Sequence, residues 1–136
     1  MRFMVIVKAT KDSEAGKMPE PKLLADMGKY NEELVKAGVM LAGEGLQASS
    51  KGARVQFVGN KRIVANGPFA PTSELVAGFW IWKCKNLEEA IAWAKKCPHP
   101  HPGSDTYLEI RQIFEPEDFG PEVAKQEREM LKKIKK

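Results

Sequence analysis

The chain is short of cysteine, of histidine and of long apolar runs, and each shortage removes a class of function. Two cysteines in 136 residues, Cys84 and Cys97, cannot make a disulfide framework. Neither has a neighbouring histidine or a CxxC partner, so both are expected as reduced, unreactive thiols of a cytoplasmic protein. Histidine occurs only as His99 and His101, in a loop stiffened by Pro100 and Pro102. Further ligands would have to come from Asp105, Cys97 or a second subunit, so no metal site is expected. No apolar stretch approaches the roughly 20 residues of a membrane span. The apolar run from Phe3 to Val7 ends at Lys8 and is too short for a signal-peptide core. Gly43-Glu44-Gly45 lacks the third glycine and the following helix of a dinucleotide fingerprint, so no cofactor is expected.

What remains is the composition of an ordinary globule, 43% hydrophobic and 29% charged, of a size that fits one domain. The formal net charge is +4, and Lys132, Lys133, Lys135 and Lys136 crowd the C-terminus. Without them the chain is close to neutral, and neither a nucleic-acid nor a membrane partner is expected. A solvated helix end accounts for those lysines.

Phe3 to Ala9 reads as a short apolar strand, and Lys11 to Lys17 as a polar loop. Pro19-Glu20-Pro21 opens a helix, in which Leu23, Met27, Tyr30 and Leu34 recur at the helical period and Gly38 supplies the stop. Val39 to Gln47 begins as a strand and meets two glycines around Glu44. Arg54 to Val58 alternates polar and apolar residues as a half-buried strand does, and Gly59-Asn60 turns it into Lys61 to Val64. Asn66-Gly67-Pro68 redirects the chain, because Asn and Gly tolerate positive φ and Pro fixes its own. The strand Val76 to Cys84 follows.

Asn86 with Glu89 fits a capping box for a second helix, whose stripe is Leu87, Ala90, Ile91 and Ala94 widened by Trp93. Thr106 to Phe114 is a last strand, with Leu108 and Ile110 on one face and Tyr107, Glu109 and Arg111 on the other. Pro121 to Lys136 is an amphipathic helix with Val123, Met130 and Ile134 on one side.

Two strand–helix–strand halves imply a ferredoxin-like α+β fold, an antiparallel sheet with both helices on one face. The other face would then carry exposed aromatic surface, from Tyr107 and from part of Phe79, Trp80, Ile81 and Trp82. A homodimer with its sheets facing each other covers that surface.

Several stretches together resemble the YCII-related family, in particular its DGPF-domain branch. They are Met1-Arg2-Phe3-Met4, Ala37-Gly38-Val39 leading to Gly43-Glu44-Gly45-Leu46, Asn66-Gly67-Pro68-Phe69 with Thr72 and Glu74, Gly78 with its aromatic strand, and Glu109-Ile110-Arg111. The resemblance runs from Met1 to about Phe119, and it implies a dimeric α/β barrel over residues 1–119 with residues 120–136 as a C-terminal helix. Asn66 stands where that branch carries Asp. Pro71-Thr72-Ser73-Glu74 stands where it carries Glu-Thr-Lys-Glu. The early His–Asp pair of shorter relatives has no counterpart, since no histidine precedes His99. Some relatives accompany alternative sigma factors.

Glu44, between two glycines in an apolar strand, is the candidate catalytic acid–base group, since desolvation in a cleft would raise its pKa. The alternative is a structural carboxylate at a bulge, or one that faces water. Arg111, near Glu109, is the candidate group for recognising a small organic acid, with a cross-strand or intersubunit ion pair as the alternative. Asn66, Phe69, Thr72 and Glu74 form the candidate substrate-binding rim, or else make local turn hydrogen bonds. A metal-independent proton transfer of isomerase or lyase type fits these residues. The rival reading is a non-catalytic interaction or regulatory protein whose C-terminal helix docks on a partner, linked to transcription through an alternative sigma factor.

Overall fold

The computed structural model describes residues 1–134. Lys135 and Lys136, part of the expected basic helix end, lie outside them. The elements are β1 (Arg2–Lys8), α1 (Lys11–Glu14), α2 (Pro21–Lys36), β2 (Met40–Gly45), β3 (Ala53–Val58), β4 (Lys61–Asn66), β5 (Val76–Lys83), α3 (Leu87–Lys95), β6 (Leu108–Gln112) and α4 (Pro121–Ile134). Short 3-10 turns occupy Ser49–Lys51, Thr72–Glu74 and Pro116–Phe119.

Four strands form an antiparallel sheet in the order β2-β5-β1-β6, the ferredoxin-like arrangement, and β3 and β4 pair only with each other. Alternation decides the faces. Phe3 and Val5 of β1 register with Trp82 and Trp80 of β5 and point to the same side as Tyr30 and Leu34 of α2 and Ala90 of α3. These buried residues are the core. Trp80 packs edge-on against Tyr30, with ring centroids 6.0 Å apart, and donates its indole N–H to Asn31 Oδ1 at 2.9 Å. The Tyr30 hydroxyl donates to the Trp93 carbonyl at 2.6 Å, which ties α2 to α3. Both helices therefore cover one sheet face.

Several local expectations are corrected. The polar loop after β1 contains the single-turn helix α1, because Thr10 and Ser13 cap each other reciprocally. Asn86 caps α3 through its side chain, which accepts from the Glu89 N–H, without the reciprocal half of a capping box. Leu87 and Ile91 of α3 are exposed, because Ala90, Trp93 and Ala94 are the residues turned to the sheet. β3 is exposed along its whole length rather than half-buried, since no layer of this chain lies against the hairpin. The stripe expected on α4, Val123, Met130 and Ile134, is exposed, and the helix turns Ala124 inward.

Candidate functional site

The uncovered sheet face presents two rows. Glu44, Phe79, Ile6 and Glu109 register across β2, β5, β1 and β6, and beside them run Ala42, Ile81, Met4 and Arg111. The centre of each row is apolar and half-buried, while Glu44 and Arg111 stand at opposite edges. Three strand spacings of about 4.8 Å, with an offset of two residues along the strands, put their backbones about 16 Å apart, so one chain does not bring this carboxylate and this guanidinium together. Glu44 is exposed and makes no ion pair among the described residues. Arg111 is exposed and pairs with Glu109 at 3.3 Å.

The glycines around Glu44 have packing reasons. A Cβ at Gly43 would lie 2.9 Å from the Trp80 ring, so that glycine admits the indole. Gly45 faces open space, and across the strand pair a Cβ at Gly78 would lie 2.9 Å from the Glu44 carbonyl. Close approach by another part of this chain accounts for Gly43 and Gly78.

The rim residues gather at the end of the sheet where β1 finishes and β5 begins. Asn66 ends β4, and the Gly67–Pro68 and Ala70–Pro71 bonds are cis. Phe69 lies under the Arg54 guanidinium, 4.1 Å from the ring centroid, and its N–H donates to Ser49 Oγ at 3.0 Å. Thr72 and Glu74 lie on a 3-10 turn: Thr72 is half-buried, Glu74 exposed, and the Thr72 carbonyl accepts from Leu75.

Glu14 closes this end from the opposite loop. Its carboxylate accepts from the Ser49 N–H at 2.9 Å and from the Ser49 hydroxyl. The hydroxyl bond first, and the N–H bond second, hold the Glu14 carboxyl below the usual carboxylate range. His101 adds a further tie, with Nε2 donating to the Lys8 carbonyl at 2.9 Å in the tautomer that places the proton there. Sequence reasoning did not single out Glu14, Ser49, Arg54 or His101 for these contacts. The Thr10-x-x-Ser13 capping pattern marks the turn that carries Glu14, but no local signal pairs residues 14 and 49.

Two surface grooves lie at the other end of the sheet, and neither includes Glu44. One, of about 440 Å³, is lined by Arg2, Phe114, Phe119, Arg128 and Leu131 among others. Both of its arginines are paired: Arg2 grips Glu115 through Nε and Nη2 at 3.0 Å, and Arg128 pairs with Glu117, while Glu127 also lines the groove. Among the described residues no cluster of three or more His, Cys, Asp or Glu side chains could hold a metal ion. No helix there is long and apolar enough to cross a membrane.

Residues 1–115 match the family model of the YCII-related domain. The chain belongs to the YCII-related domain family. The matched span takes in the whole sheet, the hairpin and the rim, and stops before α4. Within a YCII-related domain, then, the open sheet face and the rim loops belong to the shared part of the molecule and α4 lies beyond it. A curated protein of Rhizobium meliloti (strain 1021), itself described as uncharacterized, is 27% identical over 97 residues, covering 71% of this chain and 77% of its own length. Among solved structures, a 5-chloro-2-hydroxyhydroquinone dehydrochlorinase from Burkholderia phenoliruptrix, in complex with 2,5-dihydroxybenzoquinone, is similar at 15% identity and a TM-score of 0.48. That similarity covers 85% of this chain and 95% of the other.

Proposed function

We propose that this YCII-related protein, of the DGPF-domain branch, is a cytoplasmic homodimer that binds a small organic acid over its open sheet face. The observation that carries the reading is the face itself. Met4, Ile6, Phe79 and Ile81 make an apolar floor, with Glu44 at one edge and Arg111 at the other. An apolar floor with a few polar groups at its margin is what a small-molecule site requires. Glu44 is the acid–base group for a metal-independent proton transfer of isomerase or lyase type. Arg111 recognises the anion, by turning from Glu109 to a ligand carboxylate. Asn66, Phe69, Thr72 and Glu74 form the rim. A second copy supplies the cover that one chain lacks, and residues 1–119 are the body to which a helix from residue 120 is appended.

The experiment is a thermal-shift titration of wild type and Glu44→Gln with a panel of small organic acids. A ligand that binds the folded state raises Tm by mass action, by about 2.7 kcal/mol of stability at a hundredfold excess over Kd. The expected outcome is a dose-dependent rise for one acid that Glu44→Gln reduces. An equal rise in both proteins, or none with any acid, would remove Glu44 from the site.

A second reading is favoured by α4. Val123, Met130, Leu131 and Ile134 are all exposed along it, with Lys132 and Lys133 in its last turn. In that reading the paired sheets are only dimer core, and the helix docks on a protein partner linked to an alternative sigma factor.

A further inference from the structure

The hairpin formed by β3 and β4 is the least accounted-for part of the molecule. It pairs with no other strand, yet Phe57 is 72% exposed, Val64 64%, Val58 54%, Val55 52% and Ile63 44%. An isolated two-stranded ribbon is marginal in water, and this one carries five large apolar side chains on its surface. It is also cationic. Between Glu44 and Glu74 there is no acidic residue, while Lys51, Arg54, Lys61 and Arg62 all fall in that interval.

The register divides the hairpin into two faces. Val55 opposes Val64, and Phe57 opposes Arg62, whose guanidinium lies 4.5 Å from the Phe57 ring centroid. These four side chains share one face. Arg54 lies on the other and is engaged at the base of the hairpin by Phe69. The Val55, Phe57, Val64 and Arg62 face is thus the more exposed of the two, and it carries one cation that is tied to no carboxylate among the described ion pairs.

We propose that this face of the hairpin packs on the open sheet face of a second copy, next to Glu44, so that each candidate site is walled by the partner protomer's hairpin. The inference rests on the dimeric reading above and specifies what completes its site. Three observations select a second copy as the occupant. The hairpin and the sheet face are both apolar and uncovered, and a two-fold contact between copies buries both at once, since each surface meets the other twice. Their lengths match: six residues of strand span about 20 Å, close to the length of the sheet strands. Their charges also match, because Arg62 arrives with the apolar face and Glu44 is the unpaired carboxylate beside Phe79. Five exposed large apolar side chains on a short ribbon favour a protein surface over a nucleic-acid backbone, for which the cations alone would suffice.

The test is sedimentation equilibrium on the full chain, with far-UV circular dichroism as the check of folding. Wild type is expected to be dimeric at micromolar concentration. Phe57→Asp should give a folded monomer. Arg62→Glu and Glu44→Arg should each raise the dimer Kd by about tenfold or more, and the double variant should recover most of the loss, as a directly paired charge does. A Phe57→Asp protein as dimeric as wild type would overturn the hairpin contact while leaving the dimeric reading in place. Additive rather than compensating charge reversals would overturn the Arg62–Glu44 pairing. A monomeric wild type would overturn this inference and the dimeric reading together, and tight binding of a DNA duplex lost in Arg62→Glu would assign the hairpin to nucleic acid instead.

Discussion

A methyl group at position 67 would run into the carbonyl of Ser49, because the rim loop lies close against the loop before β3, where the Gly67 N–H donates to the Gly52 carbonyl at 2.9 Å. Gly67→Ala is therefore expected to cost about 1–3 kcal/mol, the range for overpacking, with a matching loss in urea midpoint at unchanged m-value. The cysteines make a contrasting case. Burial pushes the Cys97 thiol up to about 11 from 9.0, and Cys84 is raised in the same sense. Iodoacetamide at pH 7.5 should modify neither in the folded protein, and mass spectrometry would read any adduct. A thiol whose value is higher folded than unfolded stabilises the fold below the unfolded value. That contribution should disappear as pH rises from 9.0 toward 11, which a pH series of Tm can check.

Among the elements, the latch between α1 and the Ser49–Lys51 turn holds the end of the sheet where the rim sits. Glu14 accepts both the hydroxyl and the N–H of Ser49, and the Ser49 oxygen accepts the Phe69 N–H, so three separate stretches meet at one serine. The Glu14 carboxyl is lowered, so its contribution to stability is present above the ordinary carboxylate pKa. It is lost as pH falls through the depressed folded value. Glu14→Gln should lower Tm in the neutral region, where the contribution is present, and approach wild type well below about pH 4.5, so that the acid limb of the Tm–pH curve is flatter. Amide exchange at Phe69 should speed up in Ser49→Ala, since its acceptor is gone.

On the scale of the whole molecule, α4 has only a small stake in the core. It buries Ala124, pairs Arg128 with Glu117 and leaves its apolar stripe in water. A chain ending at Gly120 is expected to keep its sheet and to lose no more than about 5 °C of Tm, since one kcal/mol corresponds to about that shift in a body of this size. If the proposed dimer and ligand response both persist in that truncation, α4 is an appended helix, and if both are lost α4 is part of the assembly. The open sheet face belongs to this scale too. It is apolar in one chain only because its cover, in the reading proposed here, comes from another.

Much of this was legible along the chain, and the rest depended on distance. Apolar runs marked β1 and β5, two distinct faces marked β6, and the helical period marked α2, because each of these signals is local. Alternation along β5 sets Trp80 and Trp82 opposite Phe79 and Ile81, but only the helices packed above them decided that the tryptophans are core. Glu44 and Arg111 were visible as polar residues in strands, but the strand order that puts them on opposite edges is a long-range property. The exposure of β3 and β4 had no local signature, since alternation reads the same whether or not a layer lies against it. The meeting of Glu14, Ser49 and Phe69 was invisible for the same reason: hydrogen bonds between loops follow from where the sheet sets the loop ends. The sequence by itself determined which residues could form strands and helices and that they make an α+β fold with an antiparallel sheet. Tertiary structure alone decided which faces are covered, because burial belongs to the neighbour and not to the residue.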